Sequence, residues 1–357
     1  MDKIRKLYPY LALIPIIGFA LIPPINVGLE APSPLITTWL ILIAAFFGFY
    51  TLFLKTNLFV KAIAIGGFIN CFFSRTPYLS FITYLSVVTC CYFYIFCTRI
   101  ENWKPIFKAL QIVVLLNVVL ILFQISGNDK LLNFGLPSIN CYGTIGSCNQ
   151  VGGLINSLTA ILVLVSPFYL ALPLAIGIVA KSMGTFFAGM LGLFVWLSRI
   201  KLSKVKIIVA ALVLIFFILM GIKQNDFKEG SGRTPVWKKT IQLANQHPIA
   251  GWGMGSYKYI MNSYIPTFRM AHNSSLQVLF EFGYPGLIFL IALFGILFYK
   301  LIKIKSMMCV SGLTILVTDS MLHFPDRQIQ VVLIIILFLA YCTKELSHDR
   351  NLASRCM

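Results

Sequence analysis

Apolar runs long enough to cross a bilayer recur from one end of this chain to the other, and that recurrence limits the fold more than any motif does. A bilayer core of about 30 Å takes roughly 20 apolar residues of helix, which satisfies its own backbone polar groups. Read for length and hydropathy, the sequence predicts an all-α, polytopic membrane protein. About twelve spans are expected, near 10–29, 35–54, 57–73, 79–98, 106–125, 151–166, 168–180, 184–198, 206–222, 283–299, 306–322 and 328–343. Several are short, so tilted, re-entrant and joined segments remain open among them. Composition agrees: of 357 residues, 59% are hydrophobic and 11% charged, where a water-soluble domain carries about 25% charge. No separate soluble domain stands out. The charged start, Met1 to Lys6, is not followed by a small-residue cleavage site before the next span, so no cleavable signal peptide is expected.

The net charge is +18. In a soluble protein that excess would suggest nucleic acid. Here lysines and arginines fill short loops and set orientation, and no nucleic-acid partner is expected. The clusters Lys3/Arg5/Lys6, Lys55/Lys61, Arg99/Lys104/Lys108, Arg199/Lys201/Lys204/Lys206, Lys300/Lys303/Lys305 and Lys344/Arg350/Arg355 fall at alternate ends of the spans. Both termini are then expected in the cytoplasm. Parity requires an odd number of spans between Cys141 and Arg199, and three short ones fit, turning at the outer face at Lys181 and Ser182. The outward side then carries Arg75, the 126–150 loop, Lys181, a long 223–280 loop, and His323 to Arg327. The chain divides into an N-terminal bundle, 1–222, of about nine spans, a larger outer loop with short helices, 223–282, and a C-terminal part, 283–357, of about three spans and a cytoplasmic tail. The nine cysteines show no metal-ligand spacing. Cys71, Cys90, Cys91 and Cys97 lie in apolar runs, as packing residues do. Cys141 and Cys148 share one outer loop, where a disulfide and two free thiols are both open readings.

The long outer loop holds Lys223, Lys228, Arg233, Lys238, Lys239, Lys258 and Arg269. Most of these read as solvated charge, and a few could bind an anion outside the cytoplasm. Thr234 and Pro235 suit the start of a helix running to about Gln246, with Val236, Trp237, Thr240, Ile241 and Ala244 at helical spacing. Such a helix would lie on the membrane surface with Trp237 at the headgroup level. Pro248 ends it. Gly251-Trp252-Gly253-Met254-Gly255 follows, and its alternate glycines allow tight turns and close approach to a ligand. No Lys-Ser or Lys-Thr pair comes after it, so it is not a nucleotide P-loop. Tyr257, Tyr259, Tyr264 and Trp252 read better as interfacial anchors than as sugar platforms. His272-Asn273, followed by Glu281, Gly283, Pro285 and Gly286, leads into the next span. A histidine at a water–lipid boundary can accept a proton near neutral pH, although a lone histidine is more often structural.

Taken in order, Gly232-Arg233, Trp237, Pro248, Gly251-x-Gly253-x-Gly255, His272-Asn273, Leu276, Glu281-x-Gly283 and Gly286 resemble the bacterial O-antigen ligase and O-antigen polymerase family. Gly143-Thr144 with Asn149 is similar to that family's outer turn, Ser182-x-Gly184 to its Ser-Arg-Gly turn, and His323-Phe324-Pro325 to the segment before its last helix. The resemblance covers most of the chain from about residue 140. It implies a glycosyltransferase of lipopolysaccharide biosynthesis in the bacterial inner membrane, with the active loop periplasmic. The implied donor is a glycan on undecaprenyl diphosphate, and the implied acceptor a lipid A core or another glycan. Transfer would invert the anomeric carbon, with no metal and no cofactor. One departure is clear: Met183 stands where the family turn has arginine. Lys181 supplies charge nearby, without the bidentate fork that suits phosphate.

That reaction leaves negative charge on a departing diphosphate, which fixed cations stabilise. Arg233 is the first candidate, with Arg269, Lys181 and Arg327 next. His272 would be the general base, Asn273 would orient it or the sugar, and Trp237 belongs with the substrate-binding residues. Glu281 would fix the histidine's tautomer or act in its place. The plainer readings are that Arg233 anchors the loop to anionic headgroups, and that Glu281 caps a helix or pairs with a lysine. Two other functions compete. A transporter or flippase of lipid-linked sugars would place ionisable groups within spans, where Asp319 is a rare example. An assembly protein that has lost catalysis would account for Met183.

Overall fold

The computed structural model describes residues 6–20, 58–125, 148–180, 182–198, 233–266, 270–323 and 329–355. Every regular element among them is helical. In chain order these are α1 (Tyr8–Ala20), α2 (Leu58–Phe73), α3 (Pro77–Cys97), α4 (Lys104–Ile125), α5 (Cys148–Leu162), a 3-10 turn (Pro167–Leu170), α6 (Ala171–Val179), α7 (Met183–Ser198), α8 (Arg233–Ala244), α9 (Tyr257–Asn262), α10 (Ser274–Lys303), α11 (Met307–Leu322) and α12 (Ile329–Arg355). Four helical stretches are long and apolar enough to cross a membrane: Pro77–Cys97, Lys104–Gln124, Ser274–Lys303 and Val331–Asp349. Shorter apolar helices cover Val60–Phe73, Gln150–Leu162, Pro167–Val179, Met183–Ser198 and Met307–Leu322. Among the described residues the chain is all-helical, with four helices long and apolar enough to cross a membrane, whereas a count of twelve spans is not observed. The expected spans at 35–54 and 206–222, and residues 21–29 of that at 10–29, lie outside the described residues. So do Cys141 and the side chain of Cys148.

Burial follows the logic of a lipid solvent. Ile112, Leu115, Leu116, Val119 and Leu122 of α4, with Ile288, Ile291 and Ile302 of α10, are between 53% and 63% exposed. In water such stripes would be a liability, and against acyl chains they are the natural outer surface. Inside the bundle, Phe93, Phe96, Ile106, Leu110, Leu158 and Phe338 join one core drawn from α3, α4, α5 and α12. Buried polar side chains sit among these apolar ones, including Asn70, Asn156 and Asp319. Polar groups removed from water must pair with each other, and here they sew helices together.

The two ends of the bundle differ. At the C-terminal end of α3, Lys344 Nζ donates to the carbonyls of Ile100 and Glu101 at 2.8 and 2.7 Å. The basic stretches 99–108 and 344 thus meet there. At the N-terminal end of α3, the Arg75 N–H donates to the Trp252 carbonyl at 3.1 Å. Segments that the charge pattern assigned to a single side are gathered at a single end.

The loop before α10 is held by a kink. Helix α10 breaks its regular geometry at Gly283, with φ 69° and ψ −169°, a region open only to glycine. A Cβ there would collide with the carbonyl oxygen of Pro248. The next residue, Tyr284, donates its N–H to that same carbonyl at 2.8 Å, and Pro285 occupies the first turn of the resumed helix, where its missing N–H costs nothing. Before the kink, Leu276 and Phe280 face the loop's own core with Leu243, Tyr257, Met261 and Ala271. Tyr257 is fully buried there, bonded to Thr240 Oγ1 at 2.7 Å. This corrects the interfacial-anchor expectation for that residue, because a hydroxyl with a buried partner has no need of the headgroups. Gly283→Ala should lower thermal stability by about 1–3 kcal/mol, read as an earlier melting transition of the detergent-solubilised protein. Unchanged melting would show that the turn tolerates a side chain.

Candidate active site

Helix α8 places Arg233 in its first turn. The guanidinium Nη1 donates to the Leu322 carbonyl at 2.6 Å. Leu322 ends α11, and the last carbonyls of a helix lack intrahelical donors and carry the negative end of its dipole. A cation is the suitable partner. Burial lowers the proton affinity of Arg233 somewhat, yet a guanidinium stays charged at any physiological pH. With one face on Leu322, other N–H groups of the fork can meet an anion.

His272 lies in the turn before α10, in the left-handed region at φ 52°. A non-glycine residue held there is strained and persists only where its surroundings dictate it. Those surroundings are identifiable. The preceding residue, Ala271, is gripped on both sides: its carbonyl accepts from Trp237 Nε1 at 2.7 Å, and its N–H donates to Gln277 Oε1 at 3.2 Å. The following residue, Asn273, is the N-cap of α10, with Oδ1 accepting from the Leu276 N–H at 3.0 Å. Glu281 is buried two turns into that helix, its Oε1 accepting from Gln277 Nε2 at 2.7 Å. Trp237, Asn273, Gln277 and Glu281 thus form a frame that fixes the backbone on which His272 sits.

The His272 imidazole is pushed down to a pKa of about 4, first by burial, then by the charge of Arg233, then by that of His323. Three groups expected on the outward side therefore lie within electrostatic reach of one another. At neutral pH the ring is unprotonated and able to accept a proton. An arriving anion would offset the cationic neighbours and raise its basicity toward the ordinary value.

The glycine run has a different partner from the one expected. Gly251, Gly253 and Gly255 all have positive φ, and added Cβ atoms would meet the Glu281 backbone, Ser74 and Thr83. The close approach is to the protein itself. Asn70 of α2 completes this junction: its Nδ2 donates to the carbonyls of Ala250 and Glu281 at 3.0 and 3.2 Å, and its Oδ1 accepts from the Met254 N–H at 2.8 Å. Ser80 adds a bond to the Met254 carbonyl at 2.5 Å. Neither Asn70 nor Gln277 has a sequence signature, being single amides in otherwise unremarkable runs.

Of the other expected residues, Lys181, Arg269 and Arg327 lie outside the described residues. Lys238 and Lys239 line a shallow recess of about 480 Å³ with Pro235, Gln242, Tyr264 and Ile265, and Lys239 Nζ sits 4.0 Å over the Tyr264 ring. Neither Arg233 nor His272 lines it. Sequence reasoning missed how Asp319, His323 and Asn156 join. Asp319 Oδ1 lies 2.7 Å from both His323 Nδ1 and Asn156 Nδ2. The available signal was an acidic residue four before a histidine at the end of an apolar run. Among the described residues no group of three or more His, Cys, Asp or Glu side chains could hold a metal ion.

Residues 154–291 match the family model described as O-antigen ligase. No curated protein matches the chain. The match supports assignment to the O-antigen ligase family, a membrane glycan-transferring ligase and polymerase family. It spans Arg233, His272 and the whole frame around them. Since the acid limb of kcat/KM reports the free enzyme, transfer by the wild-type protein should persist to about pH 5 and fall only as His272 protonates near pH 4. A limb centred above pH 6 would mean that His272 is not held low. Asn70→Ala should weaken the loop's attachment by about 1–3 kcal/mol, measured as faster proteolysis within 245–260 in membranes; an unchanged cleavage rate would deny it the latch role.

Proposed function

We propose that this chain is a glycosyltransferase that moves a glycan from an undecaprenyl-diphosphate carrier to an acceptor glycan at the periplasmic face of the bacterial inner membrane. The observation that carries this reading is the neighbourhood of Arg233 and His272: a fixed guanidinium beside a neutral imidazole on a braced, strained turn. The guanidinium meets the charge that develops on the departing diphosphate, where a partly dry site makes its contribution large. The imidazole takes the proton of the attacking hydroxyl, a role worth about 10²–10⁴-fold in rate. The new bond forms at the anomeric carbon as the bond to the diphosphate oxygen breaks. Attack opposite the leaving group inverts the configuration, with no metal required.

Asn273 and Trp237 serve this chemistry by holding the His272 turn, and Glu281 by holding Gln277. Arg269, Lys181 and Arg327 are proposed as further contacts for the diphosphate. The acceptor, whether lipid A core or another glycan, decides between ligase and polymerase. Asp319, a rare ionisable residue within the spans, is bonded to His323 at the end of α11 where Arg233 docks on Leu322, which supports a role in the site over one along a transport path.

His272→Ala and Arg233→Ala should each reduce transfer from purified lipid-linked glycan by at least about 100-fold, with protein levels in the membrane unchanged. Full transfer by both variants would remove the proposed site.

A further inference from the structure

The apolar surface of α10 does not stop where the helix kinks. Beyond Gly283 its exposed positions include Tyr284, Ile288, Ile291, Gly295, Tyr299 and Ile302, spaced by three or four residues and so on one face. Of the four long apolar helices among the described residues it is the least covered, with 6% of its most apolar stretch buried. A Cβ added at Gly295 would meet nothing within 4 Å. From Pro285 to Phe298 no side chain is charged or carries a hydroxyl or amide, the groups that bind one helix to another in lipid. Tyr284 and Tyr299 stand about 22 Å apart along the axis, and Lys300 and Lys303 follow the second. Tyrosines at both ends and lysines beyond one are how a bilayer frames a span.

Ile249 extends this face past the helix. It is 78% exposed, on the turn between α8 and the glycine run, and its backbone is held on every side. The Tyr284 N–H bonds the Pro248 carbonyl at 2.8 Å, and the Gly251 N–H bonds the His247 carbonyl at 2.9 Å. A Cβ at Gly283 would lie 2.7 Å from the Ile249 carbonyl oxygen. Behind the turn, the Trp252 ring lies 4.2 Å from that of His247, centroid to centroid, and its Nε1 donates to the Leu243 carbonyl at 2.8 Å. The interior is filled, and the Ile249 side chain faces outward. The Tyr284 hydroxyl donates to Asn245 Oδ1 at 2.8 Å. Asn245 lies one turn after Ile241, which is 41% exposed, so Tyr284 joins the apolar face of α10 to the end of α8.

From Ile302 to Tyr284, α10 rises about 27 Å, a little short of a hydrocarbon core of about 30 Å. The shortfall falls at the Gly283 end, where Ile249 stands. A rigidly presented aliphatic side chain is unfavourable in water and at ease among acyl chains. We propose that Ile249, with Ile241 and the Tyr284 ring, is a membrane-inserting tip covered by lipid acyl chains, and that it seats the Arg233–His272 site at headgroup level, where the diphosphate of a lipid-borne donor lies. The lipid contact stands on the turn and the face it continues; the seating of the site rests on the reading of the chain as a transferase with a lipid-linked donor. The lipid contact of this segment passes from Trp237, whose indole N–H is taken by the Ala271 carbonyl, to Ile249.

The test places the photo-crosslinker p-benzoylphenylalanine at position 249, 288 or 242 of the full chain in phosphatidylethanolamine–phosphatidylglycerol vesicles. After irradiation, peptide masses should show phospholipid adducts at 249 and 288 and none at 242, on the polar side of α8. Absence of the adduct at 249 while 288 carries it, equal labelling at 242, or a crosslink from 249 to a second copy of the chain would overturn the proposal. A second measurement uses Ile249→Asp, with Ile249→Leu as the conservative control. With a long-chain polyprenyl-diphosphate donor in vesicles, Ile249→Asp should raise KM by about 10-fold and leave kcat unchanged, and Ile249→Leu should match wild type. With a short-chain, water-soluble donor in detergent, all three should transfer equally. Equal loss on both donors, or no loss on either, would overturn the seating of the site. If wild type transfers neither donor while lipid adducts form at 249, the transferase reading falls and the lipid contact stands; if wild type transfers and 249 takes no lipid, the inference alone falls.

Discussion

A polar group buried among apolar helices has no water to fall back on, and the hydrogen bonds made by Asn70 show what that demands here. One amide on α2 satisfies backbone groups of residues 250 and 254 in the glycine run and of residue 281 in α10. Through it the loop becomes a continuation of the membrane bundle. The tight packing of Gly251 and Gly253 against residue 281 and Ser74 depends on the same junction, as does the kink at Gly283. Because the kink fixes where α10 begins its apolar course, it also fixes the height of the His272 turn at the other end of that first helical segment. Position is passed from the apolar helix α2 to the His272 turn through backbone contacts that leave no room for side chains.

The site combines a strained turn with over-determined surroundings. His272 at positive φ is costly in isolation. Trp237 and Gln277 remove the alternatives by holding the backbone of Ala271 before it, and Asn273 after it by capping α10 at the Leu276 N–H. Trp237 and Asn273 were expected to serve the substrate, the headgroups or the histidine. Their hydrogen-bonding capacity is instead spent largely within the protein, which is consistent with a small loop that must build its own rigid frame.

The helical class and the order of the apolar segments were legible because hydropathy acts locally: a run such as Leu115–Leu122 declares itself whatever it packs against. Arg233 and His272 were legible through a spaced pattern that resembles a family. The Tyr257 role was misread because an aromatic ring near a boundary looks the same in sequence whether it meets lipid or a buried threonine. The Asp319–His323–Asn156 cluster was not assembled because Asn156 stands 163 positions from Asp319, and nothing local encodes that pairing. Asn70 was silent for the same reason.

Arg233 docks on Leu322, and the neighbouring Asp319 and His323 complete its setting, yet all three lie beyond residue 291, where the recognisable family segment stops. The stretch that inheritance makes visible is therefore smaller than the unit that must stay intact. A fragment trimmed to the visible stretch would keep its imidazole and its guanidinium and lose the ground on which the latter stands.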